Sequence, residues 1–436
     1  MQTEQTTTNA TNGALVAEAV TEKRKFAVHE DWVVVILGFL VILLALVGLQ
    51  SPVPSYSWSD GDSLLSKVFS ADNLSKIFLQ FIFVFAIAIL GALLTAKPLR
   101  YFMIVFPVIF IVSVVAMILT GNGQVKALNL EAVIFSLALG LIIGNFFKLP
   151  TWFRDVLSTE LFVKIGLVIL GTGVIFGDIL KAGSKGLLQA LVVVLTVWYF
   201  AYWLCRKLKV DKEMTMMISS AVSICGVSAA IATAGAIKGD NKKLSYVISL
   251  VLITAIPMMI AMPYIAIWLG LSQEVTGAWL GGTIDTTGAV VASGTLVGED
   301  ALKISTIVKF SQNVLLGLAA FAISVYWTFS GPENKKREEN PGLGVIWDRF
   351  PKFVLGFVGA SLLFSFVLDA SQTSAVKDSL KNVQTLWFVL AFTSIGLETN
   401  FADLFKSDNR KPLYAFLVAQ GFNILITLVI AYFLFK

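Results

Sequence analysis

The stretch Ile218-Ser219-Ser220-Ala221-Val222-Ser223-Ile224-Cys225-Gly226-Val227-Ser228-Ala229-Ala230 decides how this chain is read. It lies in a long apolar region, yet small residues and hydroxyls stand where a lipid-facing helix would carry Leu, Ile and Phe. In hydrocarbon every backbone N–H and C=O needs a partner, so irregular backbone survives there only against protein or a water-filled cavity. A glycine-interrupted span of this kind points to the binding site of a secondary transporter. The pattern predicts a helix broken or strained near Gly226. A continuous helix packed through its small residues is the competing reading.

Composition agrees with membrane depth. Of 436 residues, 57% are hydrophobic and 14% charged, with a mean hydropathy of +0.82; a soluble domain carries roughly a quarter charged residues. The formal charge of +5 calls for no nucleic-acid partner, because the basic residues fall in short loops between apolar spans. His29 is the sole histidine, and Cys205 and Cys225 are the sole cysteines. That excludes the common zinc and iron–sulfur patterns, and no nucleotide-binding glycine loop is present. No metal, cofactor or catalytic constellation is expected, and the chain is read as a transporter rather than an enzyme.

Residues 1–28 read as a disordered cytoplasmic tail. The apolar run Trp32 to Leu49 is too long for a secretory signal and reads as a retained first helix. Further spans are expected near 75–95, 101–119, 130–147, 157–178, 187–205, 215–237, 244–269, 276–297, 303–328, 349–368, 384–404 and 412–434, about thirteen in all at roughly 20 residues per crossing. With the N-terminus inside, Lys97, Arg100, Lys148, Arg154, Arg206, Lys207, Lys209, Lys212, Lys335, Lys336, Arg337, Lys406, Arg410 and Lys411 fall on the cytoplasmic side, and Asp60, Asp62 and Asp72 outside. The positive-inside rule then gives N-in and C-out. Lys238, Lys242 and Lys243 are the main exception.

Three N-terminal helices (29–125) leave ten, which divide at about Leu271 into two five-helix units, 126–271 and 272–436. An odd number per unit inverts one against the other. The fourth helix of each is polar and glycine-interrupted: the opening stretch, and Leu390 to Asn400 around Gly396. The expected fold is therefore an all-α polytopic protein with an inverted five-plus-five repeat and two broken, crossing helices.

The ninth span carries Asp285 among Thr283, Thr286 and Thr287, and an intramembrane acid marks a functional site by default. Gly288 and Ala292 in the same span suit plain helix packing. Lys309, Gln312 and Asn313 follow in the tenth span. An ammonium beside amides, facing the amino end of a half-helix, would bind an anion; snorkelling to the interface or pairing with Asp285 are the alternatives. Candidate substrate contacts are Ser223, Cys225, Gly226, Ser228, Thr283, Thr286, Thr287, Lys309, Gln312 and Asn313, and candidate coupling-ion contacts are Asp285, Thr393, Ser394 and Glu398. Cys225 also reads simply as a small buried apolar residue. Glu160 and Lys164, four apart, read as a structural pair.

These residues carry a resemblance. Ile224-Cys225-Gly226-Val227-Ser228-Ala229, Gly277-Ala278-Trp279-Leu280-Gly281-Gly282-Thr283-Ile284, Val290-Val291-Ala292-Ser293-Gly294 and Lys309, in that order, resemble the motifs of the YeiH family of bacterial membrane proteins, usually labelled sulfate exporters. The resemblance covers roughly residue 130 to the C-terminus. It implies an architecture similar to inverted-repeat antiporters and bile-acid-type transporters, and a homodimer. Where that family places a His-Asp pair, a Gln and an Arg, this chain has Asp285-Thr286, Ala289 and Gln312. The loss of two cationic donors weakens a sulfate assignment. The expected function is export of a small anion, sulfate, sulfite or a sulfonate among the candidates, coupled to sodium or protons. A cation/proton antiporter using Asp285 is the second reading.

Overall fold

The computed structural model describes residues 28–127, 132–237, 239–330, 347, 350–399 and 410–436. The N-terminal tail, Lys238, Asn400 and the basic residues at 335–337 and 406 lie outside the described residues. Among the described residues the chain is helical, with one isolated bridge between Trp58 and Asn122. In chain order the principal helices are α1 (Glu30–Leu46), α2 (Ala71–Leu94), α3 (Leu99–Thr120), α4 (Ala132–Phe146), α5 (Thr159–Leu170), α6 (Phe176–Lys207), α7 (Lys212–Ser220), α8 (Val227–Ile237), α9 (Asn241–Trp268), α10 (Gln273–Thr283), α11 (Thr287–Val297), α12 (Glu299–Ser330), α13 (Phe353–Leu362), α14 (Ala370–Glu398) and α15 (Lys411–Phe435). Seven helical stretches are long and apolar enough to cross a bilayer, and shorter apolar helices accompany them.

Loop contacts sort the helix ends onto two faces. On one, Val28 N donates to Leu94 O (3.0 Å), Lys97 Nζ to Leu157 O (3.0 Å), and Asn145 Nδ2 to Thr399 O (3.0 Å). There Lys164 Nζ meets Glu30 (3.2 Å), Asp31 (3.0 Å) and Glu160 (2.9 Å), while the other Asp31 oxygen accepts from Lys352 N (2.9 Å). The structural reading of Glu160 and Lys164 thus widens into a node joining α1, α5 and the start of α13. On the opposite face Ser55 N donates to Asn73 Oδ1 (2.7 Å), Trp58 N to Gly121 O (3.1 Å), Phe176 N to Ser365 Oγ (3.0 Å), and Lys381 pairs with Glu299 (3.0 Å).

Two of the expected crossings do not cross. Residues 212–237 leave and return on the face of Lys164: Lys243 Nζ meets Asp211 (2.7 Å) and Glu213 (3.2 Å), and Asp240 N donates to Glu213 Oε2 (3.2 Å). The chain between them is a re-entrant hairpin, α7–α8, with its tip at Ile224–Gly226. Residues 273–297 do the same from the opposite face. Ala301 N donates to Gln273 Oε1 (3.3 Å), and α10 and α11, of 11 residues each, fold back on one another about a tip at Ile284–Thr286. An arm of that length is ~16 Å, about half a hydrocarbon core of roughly 30 Å. The helices that flank the hairpins are long by contrast: α6 has 32 residues, α9 has 28 and α12 has 32. Lys243 consequently joins the basic residues on the face of Lys164, which accounts for its part of the exception in the charge pattern.

The second glycine-interrupted stretch is also corrected. α14 runs unbroken through Thr393, Ser394 and Gly396. Gly396 permits close packing instead: a Cβ there would lie 2.5 Å from Leu137 O, and at Gly140 one would lie 2.4 Å from Thr393 O. The discontinuous partner of the Gly226 hairpin is the Asp285 segment. The two hairpins occupy the fourth place of one proposed unit and the first of the other, so a division at Leu271 does not bring them into correspondence.

The bases of the hairpins make two predictions. In a background lacking Cys205 and Cys225, cysteines at Lys209 and Asp240 will label from one side of the membrane, and cysteines at Glu274 and Asp300 from the other. A crossing at 212–237 would split the first pair. Burial opposes the charge of Asp211, but hydrogen bonds from Lys243 and the backbone N–H of Met214 and Glu213 outweigh it and hold the carboxyl below its ordinary range. The tie is therefore present above the usual carboxylate value of about 4 and lost as pH falls through the depressed one. Amide exchange over residues 212–220 should accelerate only below about pH 4.

Candidate functional site at the hairpin tips

The first tip is a π-turn, Ala221–Cys225, closed by Gly226 N donating to Ala221 O (3.0 Å). Gly226 has φ +61° and ψ −110°, a conformation that L side chains rarely adopt. A Cβ there would also stand 2.6 Å from Val251 Cγ1 and 2.9 Å from Asp285 Cβ. The glycine is required twice over, and the two tips touch at it. The second tip is extended at Ile284 and restarts at Thr286, whose Oγ1 accepts from Ala289 N (3.3 Å) to cap α11.

Fold-back leaves the carbonyls at the end of each first arm without helical partners. Side chains of α12 and α15 take them up. Lys309 Nζ donates to Ile224 O (2.8 Å) and to Gln312 Oε1 (2.9 Å). Gln312 Nε2 donates to Ser223 O (2.8 Å) and Gly282 O (3.3 Å). Asn423 Nδ2 donates to Val222 O (3.0 Å) and Thr283 O (3.3 Å), and Gln420 Nε2 to Thr283 O (3.0 Å). Two amides therefore bridge both hairpins.

Lys309 is 1% exposed, which excludes snorkelling. It faces the carboxyl end of a half-helix rather than the expected amino end, where its charge complements the helix dipole. It makes no direct ion pair with Asp285; its donors go to Ile224 O and Gln312. Asp285 is 2% exposed, and its Oδ2 has no hydrogen-bond partner among the described residues.

Of the sequence-derived candidates, Ser223, Cys225, Gly226, Thr283, Asp285, Thr286, Thr287, Lys309, Gln312 and Asn313 gather at or beside the tips. Asn313 Nδ2 donates to Thr287 Oγ1 (3.3 Å), and Ser223 Oγ turns back to Ser219 O (2.7 Å). Cys225 is a free, buried thiol. Ser228 is exposed on the first turn of α8. The α14 candidates are not brought in. Glu398 accepts from Thr159 Oγ1 (3.0 Å) at the basic face, Thr393 bonds Ser113 (2.8 Å), and Ser394 Oγ bonds Leu390 O (2.8 Å). Gln420 and Asn423 were missed by sequence reasoning. Their signal was two amides three residues apart in an oily span, where hydrogen-bonding side chains join helices.

Opposed re-entrant hairpins inside a bundle of apolar helices define a multi-pass membrane protein. The chain belongs to the family described as conserved hypothetical protein 698, whose model matches residues 103–415, and this is the YeiH (UPF0324) family that the motifs resemble. A UPF0324 membrane protein of Rhodopirellula baltica is 41% identical over 377 residues, covering 84% of this chain and 69% of that one. One from Nitratidesulfovibrio vulgaris is 39% identical over 348 residues, 77% of this chain and 59% of its own length. One from Nitrosomonas europaea is 28% identical over 448 residues, 88% and 91% respectively. No solved structure matches.

The bridging amides make a prediction. Gln312→Leu and Asn423→Leu each strand two buried carbonyls, and should each lower stability by about 1–3 kcal/mol per orphaned group. Thermal unfolding of the purified protein, with the double variant alongside, checks this; non-additive losses are expected because both residues hold the same pair of tips.

Proposed function

We propose that this protein is a secondary transporter of the bacterial inner membrane that exports a small anion by alternating access. One observation carries the reading. The hairpins enter from opposite faces and place the amino ends of α8 and α11 at a common depth, where Gly226 meets Asp285. Each amino end carries about half a positive charge and unpaired N–H groups. Ser228 is exposed there, and Thr286, Thr287 and Gly288 are half-buried, so the amino ends are open while the carbonyl ends are sealed. Irregular backbone at this depth is what a transporter site requires.

The basic face carries Lys97, Arg154, Arg206, Lys207, Lys243 and Lys411 and is assigned to the cytoplasm, which puts the N-terminus inside and the C-terminus outside. Asp285 beside the site favours a singly charged anion, such as a sulfonate or hydrogen sulfite, over a dianion. Coupling to an ion gradient belongs to this reading, and catalysis does not.

Currents on a solid-supported membrane bearing reconstituted protein test it, with radiolabelled counterflow to register electroneutral exchange. Sulfate, sulfite and a taurine-like sulfonate are applied in turn. Transport of one of them is expected, abolished in Lys309→Ala and with the half-saturating concentration raised about tenfold in Thr287→Val through loss of one hydrogen bond to the anion. A response confined to sodium or pH jumps, and lost in Asp285→Asn, would overturn the anion reading in favour of an antiporter.

A further inference from the structure

The tips also hold buried oxygens without partners. Among the described residues, Thr283 Oγ1, Asp285 Oδ2 and Gln420 Oε1 are each shielded from solvent and accept or share no hydrogen bond. All three belong to one locality: Gln420 Nε2 donates to Thr283 O (3.0 Å), Thr283 and Asp285 flank Ile284 at the tip, and the Gln420 side chain lies within hydrogen-bonding reach of the Asp285 carboxyl, whose Oδ2 stays unpaired. Asn313 Oδ1 is a fourth such oxygen, on a side chain fixed to the tip through Thr287 (3.3 Å). Buried polar atoms are nearly always paired, so each orphan calls for a reason. Here every orphan is an oxygen, and the nearby N–H donors of Lys309, Gln312 and Asn423 are committed to carbonyls.

We propose that Asp285, Thr283 and Gln420, with Asn313 as a further oxygen donor, form a binding site for a dehydrated monovalent alkali cation at the tip of the α10–α11 hairpin. The inference rests on the transporter reading and names the coupling ion's class. Hard cations take carboxylate, hydroxyl and amide oxygens, and this set supplies one of each. A single carboxylate near the Lys309 ammonium disfavours a divalent ion, and among the described residues no group of three or more His, Cys, Asp or Glu side chains is arranged to hold a metal ion. The extended backbone at Ile284, the bend at Asp285 and the half-buried Thr286 and Thr287 place the cation directly beside the amino end of α11. A bound cation would thus stand next to the proposed anion and lower the repulsion between that anion and Asp285. The same tip that receives the substrate would then read the ion gradient.

Direct binding tests this apart from transport. Purified protein is titrated with sodium, potassium or choline chloride at constant ionic strength, following its thermal midpoint and the fluorescence of its tryptophans, Trp279 of α10 among them. Sodium should raise the midpoint saturably, as expected when a ligand binds only the folded state. Choline should have no effect. Asp285→Asn should abolish the response, Thr283→Val should weaken it roughly tenfold by removing one ligand, and Thr283→Ser should retain it. The retained hydroxyl separates loss of a ligand from loss of fold. Equal responses to all three salts, no response in the wild type, or an undiminished response in Asp285→Asn would overturn the site. Each of these results is independent of whether an anion is transported.

Discussion

Everything at the centre of this molecule depends on one constraint: a backbone carbonyl in hydrocarbon must find a donor. Folding a helix back at mid-depth breaks its hydrogen-bond ladder, and the π-turn at Ala221–Cys225 and the extended backbone at Ile284 do so at two adjoining places. Val222, Ser223, Ile224, Gly282 and Thr283 would be left bare. Lys309, Gln312, Gln420 and Asn423 exist in this arrangement to prevent that. Because Gln312 and Asn423 each hold both hairpins, α12 and α15 act as a common spine against which the tips are registered.

That solution divides the tips in two. The carbonyl ends are sealed by side chains, whereas the amino ends are served by a single side-chain cap, Thr286, on α11 and by a glycine on α8. The polarity of the helix thereby distinguishes the two ends of each break, one sealed by side chains and the other the electropositive amino end of a half-helix. The bases differ as well. The α7–α8 hairpin is tied by an ion-pair cluster at Lys243, and the α10–α11 hairpin by the neutral Gln273 amide. The two hairpins thus enter from opposite faces and are fastened by different chemistry.

The sequence made the centre visible and concealed the topology. Gly226, Asp285 and Lys309 announce themselves, because a conformation closed to side chains and two ionisable groups have few reasons to occur in an oily span. Whether some 25 apolar residues cross a membrane or turn back within it is not written in their hydropathy, since both paths need the same burial. The one trace is electrostatic: a crossing at 212–237 would put Lys238, Lys242 and Lys243 on the side opposite the other basic loops. Gly396 misled for a related reason. Small residues permit a broken helix and a close helix contact alike, and only the approach of Gly140 to Thr393 O decides between them. Gln420 and Asn423 were obscured by the strongly apolar helix that carries them.

One of the positions that depart from the family motif, Gln312, is explained by the same carbonyls. Gln312 gives its amide hydrogens to Ser223 O and Gly282 O and its oxygen to Lys309. An arginine there could serve the carbonyls but has no acceptor to offer the ammonium. It would set two cations side by side, and both would need an anion close at hand. With glutamine, Lys309 is satisfied within the protein and is committed to structure, and Lys309 and Asp285 sum to no net charge. A tip of that kind has no surplus cation with which to hold a dianion. Under the proposed transport reading, such a tip would rely on helix amino ends for a modest negative charge and on a cation at the oxygens around Asp285 to balance the rest.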